Sequence, residues 1–206
     1  MTGRRAKGGA RMARIVKAPD DRRREILDTA MDLFAEKGLE GVSMRDIARR
    51  MGTAPGLVYH YFDSKRKLLD EAMERYVEEC TEGLVNLLRS TDLGFREKVD
   101  ALYDDIGDER LQRHSDFFHR QGNEGFHRQL SLRLCEHVQP HMAAALEQAR
   151  RSEGLIVRDP ETLASFLLHG HIGILSAHGD ADAQTVARLR EYAHVLIDSQ
   201  TERPEG

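Results

Sequence analysis

Tryptophan is absent from this sequence, and cysteine and proline are scarce, with two and five residues among 206. Cys80 and Cys135 are too few for a disulfide framework and lack the CxxC spacing of zinc or redox sites, so a reducing cytoplasm is the expected compartment. The longest apolar stretch, Leu163 to Ala177, is interrupted by His169 and His171, whereas a bilayer span needs about 20 apolar residues, so no transmembrane helix is expected. The basic start is followed by no apolar h-region, which argues against a secretory signal. No segment alternates with a period of two over strand length, so no sheet is expected, and no fixed-period repeat occurs. Phosphate loop, nucleophile elbow and deaminase motifs are missing, which disfavours an enzyme. With 40% hydrophobic and 32% charged residues, what remains is a soluble all-α protein long enough to bury its own core.

Charge is distributed in two parts. Residues 1–70 carry 16 Lys and Arg against 10 Asp and Glu, while residues 71–206 carry 15 against 25, so +6 is joined to −10. A basic module attached to an acidic remainder fits a polyanion-binding segment linked to something that must not bind that polyanion. Residues 1–18 hold Arg4, Arg5, Lys7, Arg11, Arg14 and Lys17 with no acid, and read as a disordered basic arm.

From Pro19 a helical period begins, with Ile26, Leu27, Ala30, Leu33 and Phe34 on one face and Gly38 as a C-terminal stop. Ser43 and Asp46 form a capping-box start for a short second helix that Gly52 closes. Pro55 suits the first turn of a third, running to Phe62. A long fourth helix spans Lys65 to about Ser90. Further helices are expected near Phe95–Ile106, Glu109–Arg120, Glu124–Arg151 with Pro140 inside, Pro160–His178 and Asp182–Ser199, about nine in all.

Three short helices with a glycine turn between the second and third describe a helix-turn-helix, whose third helix lies in the DNA major groove. The run Ser43-Met44-Arg45-Asp46-Ile47-Ala48, then Gly52, then Gly56-Leu57-Val58-Tyr59-His60-Tyr61-Phe62, then Ser64-Lys65 and Leu68, closely resembles the N-terminal signature of TetR-type transcriptional repressors. The resemblance covers about 45 residues and is more specific than a lone motif. It implies a basic arm at 1–18, a helix-turn-helix domain at 19–65, and a ligand-binding and dimerising helical domain at 66–206. It also implies phosphate contacts by Tyr59 and His60, to which the residues themselves add Ser43 and Lys65. Base readout falls to Thr53, Ala54, Pro55 and Leu57 at the start of the third helix, with Arg45 nearby. The four are small or apolar and make no bidentate contact to guanine or adenine, leaving specificity to Arg45, DNA shape or the arm. Ala54 stands where a capping Ser is usual, so either Thr53 caps the third helix or the cap is missing.

The C-terminal part holds nine of the ten histidines. His137 and His141 have the four-residue spacing of helical metal ligands, close to Cys135, so a metal-responsive regulator is one alternative; a helical enzyme with a His/Glu site is another. No metal or other cofactor is the primary expectation. Phe95, Tyr103, Phe117, Phe118, Phe126, Leu130 and His137 are candidates to line a pocket for a small-molecule effector. Leu163, Leu167, Gly170, Gly173 and Ala177, with Leu189, Ala193 and Leu196 on the last helix, suit the four-helix homodimer interface the family implies. The expected whole is a cytoplasmic, non-enzymatic homodimeric repressor that binds a palindromic double-stranded operator and releases it when a ligand enters.

Overall fold

A computed structural model describes residues 18–104, 124–177 and 182–199. They form eight α-helices and, among the described residues, no strand: α1 Pro19–Lys37, α2 Met44–Arg50, α3 Pro55–Tyr61, α4 Lys65–Arg89, α5 Phe95–Asp104, α6 Glu124–Ser152, α7 Pro160–Ala177 and α8 Ala183–Asp198. The arm at 1–17, the helix expected over Glu109–Arg120 with Phe117 and Phe118, and His114, His119 and His178 lie outside the described residues.

The local chemistry that starts and stops these helices is the one the sequence encodes. Gly38 ends α1 at φ 76°, with its amide on the Phe34 carbonyl at 2.8 Å. Ser43 and Asp46 make a reciprocal capping box at α2. Gly52, at φ 64°, closes α2 in a Schellman motif, where Thr53 N–H bonds the Ala48 carbonyl at 2.9 Å and Gly52 N–H bonds that of Arg49 at 3.1 Å. The Asp159 carboxylate accepts from Thr162 N–H at 2.9 Å and starts α7, while that of Asp182 accepts from Thr185 N–H at 2.6 Å and starts α8. The α6 helix continues through Pro140.

Two cores result. The first packs Ile26, Phe34, Ile47, Ala48, Val58 and Phe62 of α1–α3 against Leu68, Ala72, Met73 and Val77 of α4, so Ile47, Ala48, Val58 and Phe62 do pair with the apolar face of α1. Phe126 and Leu130 of α6 belong to this same core. The second joins Leu88 at the end of α4 with Phe95, Val99 and Tyr103 of α5, Cys135 to Ala149 of α6, and parts of α7 and α8. Among the described residues only α4 and α6 contribute buried side chains to both, so they carry the geometry between the two halves.

Candidate nucleic-acid interface

The short α3 helix is anchored from below and open above. Val58 is fully buried and Phe62 nearly so, while Tyr59 is 49% exposed and His60 is exposed, its ring edge-on to Tyr61 with centroids 5.4 Å apart. Ala54 and Pro55 at its start are exposed and Leu57 is half-buried. The N-cap is Ala54 and makes no side-chain cap; the Thr53 hydroxyl instead turns back to the Ala48 carbonyl at 3.4 Å. Of the two possibilities left open by the sequence, the cap is therefore missing. Pro55 compensates in part, since its fixed φ suits the first turn and it brings no orphan N–H.

The cations around α3 differ in how free they are. Arg49 pairs with Asp46 at 2.9 Å, Arg50 is held by Glu36, and Lys67 reaches Asp63 at 2.5 Å. Lys65 donates to the main-chain carbonyl of Leu39, so its ammonium is engaged within the chain and ties the start of α4 to the loop after α1. Arg45 is exposed and has no acidic or carbonyl partner among the described residues, which leaves its guanidinium available on the outer face of α2. Ser43 is exposed, but its hydroxyl is shared with Asp46, whose carboxyl is held below its ordinary value by hydrogen bonds from the Ser43 side chain and backbone. The result is that Tyr59 and His60 on α3 and Arg45 on α2 are exposed on the packed three-helix frame. They offer donors to phosphate oxygens and one fork suited to a guanine edge.

One side chain missed in the sequence holds this frame together. Arg23 of α1 makes a forked ion pair with Glu71 of α4, with nitrogen–oxygen distances of 2.6 to 3.0 Å. It also donates to the Tyr61 carbonyl at 3.1 Å and lies 4.5 Å over the Phe62 ring. The signal was only one Arg among three successive ones, and periodicity does not say which of them faces inward.

The described candidate pocket residues divide between the two cores. Phe126 and Leu130 are in the first core, whereas Phe95 and Tyr103 are in the second, and His137 sits half-buried beside His141 with ring centroids 6.0 Å apart. The expected aromatic set is thus split, because the length of α6 carries its two ends past different partners. Cys135 is buried in the second core, which takes it away from the His137–His141 pair; among the described residues no group of three or more His, Cys, Asp or Glu could hold a metal. His171 packs against Tyr103 at 5.2 Å, and burial pushes its pKa down to about 4.

The candidate dimer residues also divide. Gly170 and Gly173 are exposed, with open space where a Cβ would stand, and Leu163, Leu167 and Leu196 are half-buried. Leu189 and Ala193, in contrast, are buried within the second core, so they serve the chain's own packing. The outward residues at these helices are ones periodicity passed over: Phe166 at 64% exposure, Tyr192 at 63% and Val195 at 58%. Phe166 lies one turn before Gly170, which was the available signal.

Comparison with known proteins agrees with this geometry. The family described as bacterial regulatory proteins, tetR family, matches residues 26–72, which run from α1 into the first turns of α4. Over these residues the chain is similar to the DNA-binding segment of TetR-family regulators. A repressor described as HTH-type transcriptional repressor KstR2 from Rhodococcus jostii is 54% identical over 44 residues, which are 21% of this chain and 22% of that one. The chain therefore spans about a fifth of the length of this relative. A TetR-family regulator from Mesorhizobium loti has a TM-score of 0.62 at 20% identity, covering 89% of this chain and 96% of its own. A regulator from Saccharomonospora viridis, solved in complex with choline, gives 0.57 at 24% identity over 89% and 100%. These likenesses establish that the whole TetR-family fold, with its helix-turn-helix followed by a helical domain, is present here. No described helix is long and apolar enough to cross a membrane.

Proposed function

We propose that this protein is a cytoplasmic transcriptional repressor that binds a palindromic operator as a homodimer and leaves it when a small molecule occupies the C-terminal domain. The observation that carries the reading is that Tyr59, His60 and Arg45 are exposed on short helices whose Ile47, Ala48 and Val58 are buried. In this reading Tyr59, His60 and Ser43 contact phosphates, Leu57 and Pro55 touch thymine methyl groups, and Arg45 reads a guanine. Two exposed apolar helix faces, α7 and α8, supply the dimer contact. The likeness in fold to the Saccharomonospora viridis regulator, solved in complex with choline, supports a small-molecule effector, whose identity is left to experiment.

The test is selection of bound duplexes from a random library by the full-length protein, followed by affinity measurement. An inverted repeat is expected, with half-site centres about 34 Å apart or a multiple of that. Tyr59→Phe should weaken binding evenly across sequences. Arg45→Ala should relax preference at one base pair in each half-site by about 1–3 kcal/mol. Recovery of no preferred duplex would overturn the reading.

A further inference from the structure

The two adjacent acids Asp70 and Glu71 on α4 face different parts of the molecule. Successive residues of a helix point about 100° apart, so neighbours can serve two neighbouring elements. Asp70 is gripped by Arg133 of α6, with Nη2 on its carboxylate at 2.8 Å and Nη1 on its main-chain carbonyl at 3.2 Å. Glu71 is gripped by Arg23 of α1, which in turn holds the Tyr61 carbonyl at the last turn of α3 and covers Phe62, the residue that ends it. Phe126, Leu130 and Arg133 share one face of α6, at spacings of four and three residues, and the first two are buried in the core of the DNA-binding helices.

From these contacts we infer that Asp70 and Glu71 form a relay on α4 through which the placement of α6 sets the pose of α3, with Arg23 the positioning residue at its far end. The inference rests on the reading of α3 as the recognition helix, and adds which side chains carry a change in the C-terminal domain to it. Three features support a coupling role over simple adhesion. Both arginines are forked, which fixes direction as well as distance. Each also holds a main-chain carbonyl, so a shift of either partner displaces backbone and not only a side chain. The Arg23 and Glu71 side chains are 39% and 36% exposed, a setting in which an ion pair adds little to stability. The chain of contacts is continuous from α6 to the end of α3, which is the physical requirement for coupling; proof needs a coupling measurement.

The experiment uses the full-length protein. Hydrogen exchange of the peptide covering residues 55–62 is compared for wild type, Arg23→Met, Arg133→Met and the double variant, with affinity for the selected duplex measured alongside. Methionine retains much of the packing stem and removes the fork. Among the described residues Arg133 bonds Asp70 and nothing in α3, yet Arg133→Met is expected to speed exchange in 55–62 several-fold, and the double variant to be no faster than the faster single. Asp70→Arg combined with Arg133→Asp re-forms the ion pair without the bond to the main-chain carbonyl and should restore part of the protection, an outcome that loss of bulk stability does not produce. If Arg23→Met fails to fold, Glu71→Gln breaks the same link while leaving the arginine in place. Wild-type exchange in 55–62 for Arg133→Met, or effects that multiply in the double variant, would overturn the relay. A wild-type protein that selects no duplex would instead overturn the functional reading, while the exchange measurement still decides the relay.

Discussion

Among single residues, His171 makes the clearest statement about pH. Its ring packs half-buried against Tyr103, and desolvation lowers its pKa from an ordinary 6.5 to about 4. Between those values the unfolded chain binds a proton that the folded one refuses. Stability from this residue is therefore complete above pH 6.5 and lost as pH falls towards 4, by at most about 3 kcal/mol in total. His141 shifts in the same direction, through burial and the nearby Arg89 and His137. The carboxylates whose pKa values lie below the ordinary range, such as Glu36 and Asp63, titrate lower and leave the interval from 7.5 to 5 to the histidines. Urea midpoints measured across that interval should fall for the wild type, and much less for His171→Leu. Equal slopes for the two proteins would show that His171 is not desolvated in solution as it is here. Lys98 is a second buried ionisable group, and its ammonium donates to the Leu88 carbonyl at 3.1 Å near the end of α4, where the helix dipole favours positive charge.

At the scale of elements, helix boundaries were legible because they are written in punctuation. Gly38, Gly52, Pro55, Asp159 and Asp182 each do what their local chemistry allows, and the ends of α1 and α2 and the starts of α3, α7 and α8 follow from them. The α2–α3 turn shows how narrow this encoding is. Gly52 has φ 64° with open space around it, so Gly52→Ala meets no side chain but strains the backbone, at about 1 kcal/mol. A midpoint drop of that size, with DNA affinity falling further because α3 hangs from the turn, is the expected result. A stability equal to wild type would refute the Schellman assignment. What periodicity could not reveal is which partner each stretch of a long helix meets. With 29 residues, α6 is about 43 Å long, more than one core can cover, so Phe126 and Leu130 serve the first core while Cys135 and later residues serve the second. A three-to-four residue stripe looks the same in both places. That Tyr59 and His60 face outward was legible, since Val58 and Phe62 on the same short helix carry its inward face. The engagement of Lys65 by Leu39 was not, because a main-chain carbonyl from another loop leaves no mark in the sequence.

For the whole molecule, the basic first third and the acidic remainder are consistent with one end meeting DNA and the other kept from it. A single helix-turn-helix reads only a few base pairs, so the proposed function depends on a second copy held at fixed spacing. The surface able to hold it is the outward side of α7 and α8, where Phe166, Tyr192 and Val195 are more than half exposed and Gly170 and Gly173 leave room for close approach. Small glycines beside large exposed aromatics fit two copies packing knob against groove across a two-fold axis, which would bury all of them. This assignment separates dimerisation from folding. Gly173→Glu puts a carboxylate into open space in the single chain, and Tyr192→Glu replaces a side chain that is already exposed. Neither change should lower the helix content, whereas in a dimer each buries a charge at a cost of several kcal/mol. Sedimentation at micromolar concentration is expected to show a dimer for the wild type and a monomer for the double variant, with unchanged circular dichroism and loss of operator retention. Changing Leu189, which is buried in the chain's own core, should instead reduce helix content and stability together. A double variant that remains dimeric would move the interface off α7 and α8.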